Sequence, residues 1–252
     1  MAVYRFEPYK KESNYDLFDS DFTEGPRGRF DTFSATITSD TTPVGDKYVR
    51  FNTSETHAYA DGGDRWFQWN GVPTNNDGHD ILFCFRRDHA TDTEILGAAR
   101  YVVDTNDELN TWAGGLRNNE TDLRGRLLVE GVLSNAGSED HNLSTTVNTW
   151  IWCRVRVEKG SHVYKARTWD DGDDEPSDWL LEWTDTGENL GNGGIGLSVY
   201  VRIDTRNVDL AYLSVGTDGD SAPMPTTGPA TPTNLQGTPS TDSILWTWEA
   251  GS

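Results

Sequence analysis

The chain has 252 residues, 21 Lys and Arg against 41 Asp and Glu, a net charge of -20 and a mean hydropathy of -0.66. A field of this sign repels nucleic acid and anionic membrane surfaces, and no run of apolar residues is long enough to span a bilayer. The opening MAVYRFEPYKKES lacks the apolar stretch of a secretory signal.

The length accommodates one large β domain with a short appendage. Tyr4, Phe6 and Phe18 offer anchors for a first strand or arm. Strands are predicted over Phe30–Ser39, Lys47–Thr53 and, after a turn, within Asp61–Asn70. Val72 to Asp80 has loop chemistry, and Asp80–Arg87 reads as a buried strand. Ile95–Val103, Leu116–Asn119 and Gly125–Leu133 follow as strands, with turns at Asn106–Asn110 and over NAGSEDHN at 135–142. Short strands separated by turn signals, with no apolar stripe of helical period, predict a sandwich or jelly roll whose helices are short.

The clearest pattern lies between Trp150 and Val215. In WIWCRVRV, Ile151, Cys153, Val155 and Val157 share one face, while Trp150, Trp152, Arg154 and Arg156 share the other. A Gly-containing loop leads to a return strand, Val163–Trp169, that places Lys165, Arg167 and Trp169 together. DDGDDE at 170–175 turns the chain, and strands follow over Ser177–Thr184, Leu197–Ile203 and Val208–Val215.

YKARTW, then W-x-x-W-type spacing around Trp169 and Trp179 with DGDDEP between, then GGIGLSVY and NVDLAYLSV, resemble the concanavalin-like (laminin-G-like) jelly rolls of sugar-binding modules and glycanases. The motifs cover residues 150–216; over 1–149 the likeness is one of topology. The resemblance implies an all-β concanavalin-like β-sandwich over 1–216, a sugar bound on its concave face, and one structural Ca²⁺ held by the aspartate of the last strand, here Asp209.

Glycanases of this fold carry closely spaced carboxylates on one strand. Glu120-Thr121-Asp122 begins such a motif but continues Leu123-Arg124-Gly125 without the second glutamate, and Glu139-Asp140-His141 fails the spacing. The five histidines show no metal-pair spacing. Hydrolysis is therefore not expected. Cys84 and Cys153 sit mid-strand and read as buried free thiols. What remains is an aromatic and basic set, Trp152, Arg154, Arg167, Trp169, Tyr200 and Arg202. Aromatic faces stack on pyranose rings, and guanidinium forks bind hydroxyls or carboxylates. The competing interpretation has the tryptophans filling the sheet and the arginines neutralising nearby acids.

Composition changes at Thr217. Residues 217–230 are rich in Pro, Gly and Thr and read as a linker. Residues 231–252 resemble the first two strands of a fibronectin type III domain, with Pro232, Leu235 and Trp246 at matching places. Two strands cannot bury their own apolar side chains. Leu235, Ile244, Trp246 and Trp248 are thus expected to form an assembly contact, with the remainder of a longer chain or with another subunit. Together these features suggest a non-enzymatic structural and recognition protein of a virus particle: a tail fibre, spike or head decoration. Other virion proteins, copies of itself and a cell-surface glycan would be its partners. A carbohydrate-binding module of a secreted, extracellular glycan-active enzyme is the alternative.

Overall fold

The computed structural model describes residues 2–12, 15, 17–25, 33–53, 64–89, 91, 93–116, 122–140, 143, 147–187, 190–201, 206–225, 233–239 and 244–249. Their strands are β1 (Ala2–Phe6), β2 (Phe22–Glu24), β3 (Phe33–Thr42), β4 (Gly45–Thr53), β5 (Asp64–Trp69), β6 (His79–Arg87), β7 (Thr93–Val103), β8 (Leu109–Leu116), β9 (Asp122–Val129), β10 (Val132–Asp140), β11 (Ile151–Val157), β12 (Val163–Asp170), β13 (Leu181–Thr184), β14 (Gly194–Val201), β15 (Asn207–Thr217), β16 (Thr233–Pro239) and β17 (Ile244–Glu249). Helical structure among the described residues is confined to one 3-10 turn, Pro8–Lys10, and one turn of α-helix, Leu17–Ser20. No described helix is long and apolar enough to cross a membrane.

Two antiparallel sheets face each other. The eight-stranded sheet runs β13-β12-β11-β6-β15-β4-β3, with β1 added along β15; the seven-stranded sheet runs β10-β9-β8-β7-β14-β5-β2. β16 and β17 form a separate two-stranded antiparallel sheet. The core lies between the large sheets and takes alternate residues from each strand. Ile151, Cys153, Val155 and Val157 meet Ile81, Phe83 and Phe85 on one side and Ile95, Ala99, Leu197 and Val199 on the other. Trp112 stacks on Tyr164 across the sandwich with ring centroids 5.1 Å apart. Burying each such large side chain stabilises the fold by about 1.5–3 kcal/mol.

The alternation read from the sequence also fixes where Cys84 and Cys153 point. They lie on adjacent strands, but Cys153 faces the core and Cys84 faces away from it, and both are free. Burial pushes both thiols well above the usual cysteine range.

Sequence and structure differ between residues 109 and 140. The stretch read as one strand, Gly125–Leu133, is two, joined by a tight turn at Glu130 (φ 49°) and Gly131 (φ 70°). Two successive positive φ values match the right-handed twist of a hairpin. Glu-Gly is not the usual signal for such a turn, in which Asn, Asp or Gly more often takes the first positive φ, so the composition does not mark it. The supposed turn over 135–142 is instead strand through Asp140, bent where its register on β9 shifts between Asn135 and Ser138.

One bulge organises the loops at an end of the sandwich. The register of β7 on β8 shifts between Ala99 and Val102, and Arg100 takes φ 53°. A non-glycine residue there is costly and must be held by its surroundings. The buried guanidinium supplies the hold: Nε donates to Asp77 O (2.9 Å), Nη1 to Tyr164 Oη (3.1 Å) and Leu190 O (3.2 Å), and Nη2 to Ser161 O (2.7 Å) and the Asp77 carboxylate. Three loops, before β6, between β11 and β12, and before β14, are thus tied to one side chain.

Candidate functional site

The side chains singled out in the sequence are not gathered into one site. Trp152, Arg154, Arg167 and Trp169 lie on the outer face of the eight-stranded sheet, opposite the core. Tyr200 belongs to β14 in the seven-stranded sheet, where Ile195, Leu197, Val199 and Val201 face the core and leave Tyr200 on that sheet's own outer side. Arg202 lies outside the described residues. The two parts of the predicted set therefore occupy opposite exteriors of the sandwich.

The four residues on the eight-stranded sheet also differ from expectation in exposure. Trp152 and Trp169 are only 4% and 3% exposed. Their rings stack (6.4 Å, 15°), Tyr212 meets Trp152 edge-on (5.9 Å), and Tyr48, Leu82, Cys84 and Ala211 complete a second apolar layer. The cover is the chain itself. The segment after β15 folds back over the sheet, with Ala222 buried and Pro223 O accepting from Tyr212 Oη and Ser214 Oγ, both at 2.8 Å. A Cβ on Gly216 would collide with the carbonyl oxygen of Asp220, so glycine permits this close approach. Residues 218–225, read from composition as the start of a linker, accordingly form a strap on the sheet. Strand periodicity specifies a side chain's face, not whether a later segment covers it.

The arginines on this face are neutralised by acids brought in from loops and neighbouring strands. Arg154 donates through Nη1 to Asp80 Oδ1 (2.6 Å) and Ala222 O (3.2 Å), and through Nε and Nη2 to the Glu175 carboxylate (2.6 and 3.0 Å). Arg167 shares Glu175, donates to Ser177 O (2.9 Å) and lies 4.3 Å over the Trp179 ring. Glu175 comes from the acidic stretch 170–175, whose role is to lay a carboxylate between two guanidinium groups. Burial pushes the Asp80 carboxyl up, while Arg154 acts in the opposite direction. Asp80 stands just before the apolar run ILFCF, and a charged residue at that boundary is the only trace of this network in the sequence.

Asp209 does not fit calcium. It projects from β15 between Arg50 and Arg86, accepting from Arg50 Nε (2.8 Å) and Nη2 (2.9 Å) and from Arg86 Nη2 (2.9 Å) and Nε (3.1 Å). Both carboxylate oxygens are engaged and two positive charges already surround them, so a divalent cation there would be repelled. Among the described residues no group of three or more His, Cys, Asp or Glu side chains is placed to hold a metal. The expectation carried by the last-strand aspartate is thus corrected: the position is an arginine-clamped carboxylate. Arg86 also packs over Trp150 (4.6 Å) and Tyr48 (5.1 Å), which anchors the clamp on the aromatic layer.

The outer side of the seven-stranded sheet holds Trp66, Leu96, Ala98, Tyr101, Leu109, Ala113 and Leu128 in a third apolar layer. Glu94 at the start of β7 is 1% exposed and accepts from Arg126 Nη2 on β9 at 2.9 Å. Neither residue was singled out in the sequence, because they are distant along the chain and meet only across β8.

No protein-family model and no curated protein matches the chain. Solved structures do. A carbohydrate-binding module from Bacillus subtilis is 13% identical, with a TM-score of 0.50 over 78% of this chain and 96% of that one. The Griffonia simplicifolia lectin I-B4 is 10% identical, with a TM-score of 0.51 over 86% and 99%. A Bacillus licheniformis β-glucanase is 8% identical, with a TM-score of 0.51 over 85% and 98%. At these identities the likeness is one of fold. The chain has the concanavalin-like jelly-roll β-sandwich shared by lectins, carbohydrate-binding modules and glucanases.

Proposed function

We propose that the chain is a non-catalytic module that recognises glycans. The observation that carries this is the state of its buried outward-facing carboxylates: Glu94 is held by Arg126, Asp80 by Arg154, and Asp209 by Arg50 and Arg86. Retaining hydrolysis needs one carboxylate as nucleophile and a second, protonated one as acid, close together across the bond. Each guanidinium partner engages a carboxylate oxygen that a nucleophile or an acid would have to present to the scissile bond. The fold supports sugar binding, and arginine-fixed carboxylates are suited to accepting hydroxyl hydrogen bonds. The test has two parts. Purified protein should bind members of a glycan array, and should release no reducing ends from β-glucans or galactans. Turnover that disappears in Glu94→Gln would overturn the non-catalytic assignment.

The place of action we propose is a virus particle, as a tail fibre, spike or head decoration, with other virion proteins or further copies as partners. The supporting observation is the β16–β17 sheet, whose strands pair only with each other among the described residues. It follows a strap that fixes the chain's departure point on the sandwich. Leu235, Ile244, Trp246 and Trp248, in a segment resembling the start of a fibronectin type III domain, are the proposed assembly contact. Deleting 231–252 should leave the sandwich folded and abolish incorporation into the particle or oligomer. Retained incorporation would favour the alternative, a carbohydrate-binding module of a secreted glycan-active enzyme.

A further inference from the structure

A cleft of about 210 Å³ opens at one end of the eight-stranded sheet, where the starts of β6 and the turn after β15 meet the β11–β12 loop. His79, Asp80, Arg156, Glu158, Lys159 and Asp220 line it. The Asp80 side chain is only 3% exposed, and its two oxygens differ. Oδ1 accepts from Arg154, whereas Oδ2 makes no hydrogen bond; Arg156 Nη1 stands 3.6 Å from it, too far for one. A buried carboxylate oxygen left without a donor is costly, and such groups mark places where a ligand or water completes the set. Arg156 is itself 30% exposed in its side chain, with Nε 3.9 Å from Glu158, and so keeps donors available to the cleft.

The walls are held in place. Asp218 N donates to Gly78 O (3.1 Å), Gly160 N donates to Asp77 Oδ2 (2.6 Å), and Lys159 pairs with Asp218 (3.3 Å). A Cβ on Gly78 would come within 2.8 Å of Lys159 N, so these loops are closely packed. Asp77 and Ser161 are in turn fixed by Arg100. A binding site framed this way loses little freedom on binding.

The volume lies below the range of about 300–1,000 Å³ typical of drug-sized ligands and suits a single sugar ring. The lining also selects charge. Asp80, Glu158 and Asp220 disfavour an anion, while Arg156 and Lys159 disfavour a cation. An uncharged polyol can donate to the carboxylates and accept from the arginine at once.

We infer that this cleft is a subsite for one uncharged hexopyranose ring, gripped through neighbouring hydroxyls that donate to Asp80 Oδ2 and accept from Arg156. The inference rests on the glycan-binding assignment and locates it at one end of the eight-stranded sheet's outer face, beyond the part enclosed by Ala222. The experiment titrates the full chain with methyl mannoside, methyl glucoside and methyl galactoside, with glucuronate and glucosamine as charged probes. Saturation-transfer NMR and the His79 ring signals are followed, and the best array glycan is measured against variants. At least one methyl hexoside should bind and move the His79 signals. Arg156→Ala, which leaves the Arg154–Asp80 contact intact, and Asp80→Asn should each weaken glycan binding by about tenfold or more, as expected for loss of a hydrogen bond to a charged group. If the wild type binds glycan but Arg156→Ala binds equally well with an unchanged melting curve, the cleft assignment fails and glycan recognition stands. Tighter binding of glucuronate or glucosamine overturns the uncharged ligand. Absence of binding to every sugar, with only water in the cleft, overturns both the cleft and the glycan-binding assignment.

Discussion

Replacing Arg100 tests whether one side chain holds the loops around the cleft. The Arg100→Ala variant removes five hydrogen bonds, to Asp77 twice, Tyr164, Ser161 and Leu190. It also leaves the Asp77 carboxylate without its guanidinium and strands the carbonyls of Leu190 and Ser161. Breaking a buried ion pair by removing one partner costs about 3–5 kcal/mol. Asp77 retains 26% exposure and regains some hydration, which places the expected loss toward the lower part of that range. For a chain of this length such a loss lowers Tm by about 6–20 °C. Arg100→Lys keeps the charge but presents no planar fork, so it should recover roughly half the loss. Arg100→Gly should be less destabilised than Arg100→Ala by about 1 kcal/mol, because the backbone at φ 53° strains alanine but not glycine. Urea unfolding followed by tryptophan fluorescence measures all three. A loss below about 1 kcal/mol in Arg100→Ala, or alanine proving as stable as glycine, would refute the argument.

Three further outcomes follow from the buried charges and thiols. Burial, reinforced by Arg100, lowers the His79 pKa to about 4 from 6.5; the unfolded chain therefore takes up the proton first as pH falls, and stability should drop by up to about 3 kcal/mol between pH 6.5 and 4, a slope that His79→Gln should remove. Because Asp209 is clamped by two arginines, a chelator should leave the melting curve unchanged at matched ionic strength, whereas Asp209→Asn should cost about 1–3 kcal/mol in urea titrations, the partial exposure of Arg50 and Arg86 limiting the effect. Cys84 and Cys153, fully enclosed and on opposite faces of their sheet, should resist a thiol reagent in the native state and react only on unfolding, with reductant leaving Tm unmoved.

The sequence by itself determined the fold class and the facing of most strands. Period-two alternation in WIWCRVRV placed Ile151, Cys153, Val155 and Val157 in the core and Trp152, Arg154 and Arg156 outside it, because a pleated strand sends successive side chains to opposite sides whatever its neighbours are. That rule is local and needs no knowledge of partners. It cannot say which sheet a strand joins, and so Tyr200 was grouped with residues that lie on the far exterior of the sandwich. Nor can it say what covers an outer face: Trp152 and Trp169 are enclosed by Ala222 and Pro223, which arrive from beyond the last strand of the sandwich. Pairing of charges is equally non-local. Asp209 looked like a metal ligand from its position on the last strand and became an arginine clamp because β4 and β6 bring Arg50 and Arg86 beside it. The same is true of the cleft, where Asp80, Arg156 and Asp220 come from three separate strands or turns. Electrostatics and cover depend on distances through space, which only the tertiary structure fixes; alternation along a strand depends on backbone geometry, which the sequence already carries.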